Sequence, residues 1–133
     1  MELGRCYTSY DLAIWFPSEM LSDQQAVTQY HKLCHGDTHG LIPHPSIGKF
    51  YVDLYKVHPE IDDVPEDKQG DFDFSPWSVE HDVSDRHLIM SSVWSHAEYV
   101  HDLVLILAQK HGLAVFDPQL AKIHYPTDQK NKP

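Results

Sequence analysis

Residues 86–118 read RHLIMSSVWSHAEYVHDLVLILAQKHGLAVFDP, and the succession strand, helix, strand within them decides the fold. Arg86 to Trp94 has strand composition, with Leu88, Met90 and Ser92 on one face and Ile89 and Val93 on the other. Ser95 followed by Glu98 has capping-box spacing and opens a helix. Its run from Val100 to Ala108 is apolar enough that most of the circumference is expected to be covered. Gly112 ends this helix and Leu113 to Phe116 reads as a strand. Asp117-Pro118 initiates a turn or bulge, after which Ala121 to Tyr125 runs extended to Pro126.

Upstream, Ser9 to Phe16 alternates Leu12, Ile14 and Phe16 with Asp11, Ala13 and Trp15 as a strand does, and Pro17 stops it. Ser22 with Gln25 forms a capping box for a helix carrying Ala26, Val27, Tyr30, Leu33 and Cys34 on one face, closed by a left-handed Gly36. Cys34 is therefore expected to be a buried thiol. A loop rich in Gly and Pro follows. A second, shorter helix is predicted from Ser46, with Ile47, Phe50, Tyr51 and Leu54 inward and Pro59 limiting it. Ser78 to Ser84 is predicted as a strand that makes a hairpin with the next one around Asp85. Together the elements predict an α+β protein: a mostly antiparallel sheet with helices on one face, in a split βαβ, ferredoxin-like layout with an additional helix.

A chain of 133 residues with 41% apolar content fits a single domain spanning 1–133, with residues 1–8 and 127–133 expected to be flexible. Two cysteines do not make a disulfide framework, and no apolar run approaches the ~20 residues of a membrane span. A soluble, cytoplasmic chain that does not engage membrane is the expectation.

Charge is distributed unevenly. Residues 60–85, an acidic connection punctuated by Pro65, Gly70 and Pro76, hold ten of the twenty carboxylates against the single base Lys68. Such a segment repels nucleic acid and suits a basic partner. Phe72, Phe74 and Trp77 argue that it is anchored rather than disordered. Its candidate partner-binding residues are Asp62, Asp63, Glu66, Asp67, Asp71 and Asp73 for charge, with Phe72, Phe74 and Trp77 as apolar anchors. The tryptophans Trp15, Trp77 and Trp94 read more readily as core and cover than as surface anchors.

Chemistry is harder to find. His31, His35 and His39 are four apart, but Gly36 interrupts their common face, so no metal ligand set and no cofactor are predicted. Cys34 and His35 are chain neighbours that point about 100° apart on a helix, which makes a structural cysteine the simpler reading. Ser91, Ser92 and Ser95 lack a nucleophile-elbow motif, and no catalytic residue is assigned. Asp117-Pro118-Gln119 reads most simply as an Asx-type turn. The alternative to partner binding is a small enzyme or ligand-binding domain with a pocket near Asp117 and Gln119.

Four stretches align in order: YDLAIW at 10–15, SPW at 75–77, LIMSSVWSHA at 88–97 and HGLAVFDPQ at 111–119. In these the chain resembles a poorly characterised family of small bacterial proteins that open with a Tyr-Asp-Leu strand and close with an Asp-Pro-Gln strand. Some members resemble immunity proteins of contact-dependent growth-inhibition, or polymorphic toxin, systems. The resemblance implies a protein that binds a cognate toxin, in keeping with a basic partner such as a nuclease domain, and carries over no functional residue.

Overall fold

The computed structural model describes residues 9–127. The expected flexible ends, residues 1–8 and 127–133, lie outside this range except for Thr127, whose N–H donates to Gln109 Oε1 at 2.8 Å. In chain order the elements are β1 (Tyr10–Trp15), α1 (Asp23–Cys34), α2 (Pro45–Val57), β2 (Asp82–Val83), β3 (His87–Ser92), α3 (Ala97–His111), β4 (Ala114–Asp117) and β5 (Lys122–His124). Three short 3-10 turns, Ile61–Asp63, Glu66–Lys68 and Trp94–His96, complete the set.

The five strands lie in the order β2-β3-β1-β4-β5 and are antiparallel throughout. The first four follow the split βαβ order, with β5 added at one edge. The protein is α+β, as the sequence predicts. Pairing of Leu12 with Met90 and of Ile14 with Leu88 and Val115 places one apolar row on one side of the central strand. Ile47, Phe50 and Leu54 of α2 and Val100, Val104 and Ala108 of α3 close over that row.

The expectation that the helices share one face is corrected for α1. Ala13 and Trp15, together with Ala114, Phe116 and Ile123, form a second apolar face, and α1 covers it with Ala26 and Leu33. Both sides of β1 are apolar, so both must be shielded from water, and α1 is the additional helix. The buried positions of α1 are Ala26, Gln29 and Leu33; Cys34 lies a further 100° around the axis and is exposed, contrary to expectation.

Local signals held unevenly. Ser22 and Gln25 make the reciprocal capping box on α1, and Gly36 takes a φ of +79° just beyond its end. α2 begins at Pro45, capped by the His44 side chain, and is no shorter than α1. The Ser95–Glu98 capping box does not form. Instead a 3-10 turn leads in and His96 occupies the cap position, with Ser95 Oγ 3.0 Å from its Nδ1. α3 is covered around most of its circumference from Val100 to Ala108, as expected: Val100, Val104 and Ala108 are buried against the sheet, Leu103, Leu105 and Leu107 pack half-buried beside them, and the strip of Asp102 and Ile106, the latter 67% exposed, faces outward. The strand expected over Ser78 to Ser84 reduces to a single bridge between Trp77 and Ser92 and the two residues of β2. The hairpin around Asp85 forms.

Candidate partner-binding surface

Between α2 and β2 the chain passes through residues 59–81 without regular strands, yet backbone and side-chain bonds fix it at both ends. Ser75 Oγ donates to Pro59 O at 2.9 Å, joining the entry to the exit. His58, the residue that ends α2, is 6% exposed: its Nδ1 lies 2.8 Å from Phe74 O and its Nε2 2.6 Å from Tyr99 Oη. A carbonyl can only accept, so Nδ1 carries a proton, while Nε2 and the tyrosine hydroxyl share the second bond. Trp77 is completely buried, and Val93 N–H donates to Pro76 O beside it.

Within the segment, two 3-10 turns present Asp62 and Asp63, then Glu66 and Asp67. Gly70 reverses the chain at φ +86°, a conformation that costs glycine little. Asp71 Oδ1 then accepts from the N–H groups of Asp73 and Phe74, closing an Asx-type turn. Asp62, Asp63, Glu66, Asp67, Asp71 and Asp73 are all exposed. Three have neighbours: Tyr55 Oη donates to Asp63 at 2.9 Å, His96 Nε2 lies 2.9 Å from Asp73, and the Asp62 carboxyl lies beside that of Glu80. That last contact, with the charges of Asp62, Glu60 and Asp63, holds the Glu80 carboxyl above its ordinary range.

The aromatic anchors divide. Phe72 is 39% exposed and Phe74 half-buried, with the Lys68 ammonium 5.9 Å from the Phe74 ring centre. Trp77 cannot meet a partner across the outer surface. It fastens the segment from inside, and of the other tryptophans Trp15 is buried and Trp94 exposed.

Glu60 departs from its acidic neighbours: it is 6% exposed and points inward. Its Oε2 accepts from Tyr51 Oη at 3.0 Å, and its Oε1 accepts from the His81 N–H at 2.9 Å and lies 3.9 Å from His81 Nε2. Burial pushes the Tyr51 hydroxyl up to about 12, helped by its bond to Glu60. Burial also lowers His81, against the pull of the Glu60 charge. The sequence placed Tyr51 on the inward face of α2 and Glu60 in the acidic run without showing that they meet, and it did not single out His81, His58 or Tyr99. Pro59-Glu60 opens an acidic run like any other, and nothing local marks the inward turn.

Beneath the segment lies a cavity of about 360 Å³ whose wall includes Ile61, Asp62, Val64, Lys68, Phe72 and Trp77. Trp77 Nε1 and His81 Nδ1 are buried and lack hydrogen-bond partners.

The alternative site is differently built. Asp117 is 1% exposed; its Oδ1 accepts from Gln119 N, Gln119 Nε2 and Leu120 N, and its Oδ2 from Tyr10 Oη at 3.5 Å. The Gln119 amide bonds both main-chain groups of Asp11, each at 2.8 Å, and so extends the β1 ladder past the end of β4. The Asx turn is present as expected. Neither residue lines the cavity under the acidic segment or a second one, of about 150 Å³, beside Trp15 and Phe16.

His35 Nδ1 bonds His31 O and His39 contacts Asp37, so the spaced histidines serve the end of α1 and its loop. Among the described residues no group of three or more His, Cys, Asp or Glu side chains is placed to hold a metal ion. Nor is any described helix long and apolar enough to cross a membrane.

The molecule is thus an α+β protein with a split βαβ sheet and a tethered, exposed acidic segment. Compared with protein-family models, with curated proteins and with solved structures, the chain shows no match.

Proposed function

We propose that this protein is a stoichiometric inhibitor that binds a cationic protein through residues 60–85 and covers its active site. The observation that carries the reading is the fixed, outward presentation of Asp62, Asp63, Glu66, Asp67, Asp71 and Asp73 on a segment tied to the core at Pro59, Phe74 and Trp77. A disordered acidic tail would lose entropy on binding, whereas a tethered one has lost most of it already. Complementary charge speeds encounter, and the partly exposed Phe72 supplies apolar contact that charge alone does not. The resemblance to immunity proteins suggests the partner: a toxin domain with nuclease activity, whose phosphate-binding cleft accepts carboxylates. Catalysis by this chain is not part of the reading.

The test is protection. Cells expressing the cognate toxin domain together with a variant carrying Asn or Gln at those six positions should lose protection while the variant remains folded by circular dichroism. Undiminished protection would reject the acidic surface.

A further inference from the structure

The second cavity, of about 150 Å³, opens where the end of β1 and the chain that follows it meet α1 and the loop after it, and no residue of 60–85 lines it. Gln29 of α1 forms part of its wall and is only 8% exposed. A glutamine so enclosed needs a partner for each end of its amide. Its Nε2 donates to His39 O at 3.4 Å, which fixes the orientation of the amide, since the oxygen turned toward that carbonyl would be repelled. Oε1 therefore faces Gly40, and among the described residues no donor bonds to it. Gly40 also lines the cavity. At φ +93° it takes a conformation that costs glycine little, and a Cβ there would stand 3.0 Å from Oε1, so the glycine keeps the space in front of the oxygen open.

A group that fills this space has to donate. Ser18 and Glu19, both exposed, add a hydroxyl and a carboxylate to the wall, and no described lysine, arginine or histidine lines it. Arg86, which reaches the loop after α1, is engaged with Leu41 O at 3.1 Å. Phe16, Leu21 and Leu41 make the remaining side apolar. That side is set in advance: Tyr125 Oη bonds both main-chain groups of Leu21, and the Phe16 ring stacks on His44 at 3.9 Å. A primary ammonium has three donors and a charge, which match an amide oxygen, a hydroxyl and a carboxylate. An anionic group would be repelled by Glu19 and leave Oε1 unpaired, and a neutral alcohol would satisfy Oε1 without using the Glu19 charge. At ~30 Å³ for each water-sized group the volume holds about five non-hydrogen atoms, which is the size of a butyl stem with its nitrogen.

We propose that this cavity binds a primary alkylammonium group, with its N–H donors on Gln29 Oε1, Ser18 Oγ and the Glu19 carboxylate and its stem against Phe16, Leu21 and Leu41. A free alkylamine and a lysine side chain of another protein present the same chemistry. The site shares no residue with the acidic segment and stands or falls apart from it.

Titration of the full ¹⁵N-labelled chain with n-butylammonium chloride, followed at the Gly40 and Leu41 main-chain N–H resonances, tests it. The expected result is a saturable movement of both signals at millimolar probe, weakened about tenfold by Gln29→Leu, which keeps a side chain of similar size but removes the acceptor. Glu19→Gln, at an exposed position where folding is not at stake, should weaken binding about threefold and remove most of its dependence on salt. Three results would overturn the proposal: no saturable movement, an equal movement with 1-butanol or with ammonium chloride at matched ionic strength, or an unchanged titration in Gln29→Leu or in Glu19→Gln. N-acetyl-lysine amide separates the two sources, and either result supports the site. Binding as tight as that of n-butylammonium assigns it to a lysine side chain, and binding at least ~10-fold weaker assigns it to a free amine.

Discussion

Glu60 and Asp62 are two positions apart in the same acidic run, yet one is enclosed and the other faces water. The difference is made by Tyr51 and the His81 N–H, which converge on the Glu60 carboxylate from α2 and from the approach to β2. Glu60→Ala would take the acceptor from the Tyr51 hydroxyl and from the His81 main-chain N–H, both in part-buried hydrogen bonds. It should cost ~2–4 kcal/mol in urea unfolding, whereas Glu60→Gln, which keeps an acceptor, should cost less. His81 sets a pH dependence of known sign. Burial lowers its folded-state pKa, so between the folded value and the unfolded ~6.5 the unfolded chain binds more protons. Its contribution to stability is therefore complete above pH ~6.5 and is lost as pH falls through the folded value. The urea midpoint should decline on acidification below that point, and His81→Gln should flatten the decline; a midpoint that rises on acidification would contradict the assignment. None of this was legible in the sequence, because hydrogen bonds across nine and twenty-one residues, outside any single helix, leave no local spacing to read.

At the scale of elements, legibility depended on whether a signal was complete within a few residues. The box at Ser22 and Gln25 formed because the chain enters α1 in extended conformation, which leaves the serine side chain free to cap. The same pattern at Ser95 and Glu98 did not, since the turn after Val93 had already begun to coil the chain. Composition placed aromatics in the acidic connection, and it proved anchored, but its tether is a histidine at the end of α2. His58→Ala removes the bonds to Phe74 O and Tyr99 Oη together. It should cost ~2–3 kcal/mol and speed tryptic cleavage after Lys68 several-fold under native conditions. Cleavage no faster than in the wild type would mean that Trp77 and Ser75 hold the segment without it.

For the whole molecule, strand order and antiparallel pairing followed from the alternation of elements, but the allocation of helices to faces did not. Leu12 and Ile14 on one side of β1, and Ala13 and Trp15 on the other, say that both sides are covered without saying by which helix. Charge is the property of the entire chain that bears on function: a formal net charge of −10, half of its acids in one tethered stretch, and eleven histidines. Acidification toward pH ~5.5 adds positive charge wherever a histidine keeps an ordinary pKa, so a complex driven by charge should weaken there. The most direct measurement is stopped-flow association with the proposed cationic partner domain, across a range of salt, for the wild type and the sixfold amide variant. The account predicts a wild-type association rate that falls steeply with ionic strength, a variant that is at least ~10-fold slower at low salt, and dissociation rates that differ much less. Equal association rates for the two proteins at low salt would contradict it.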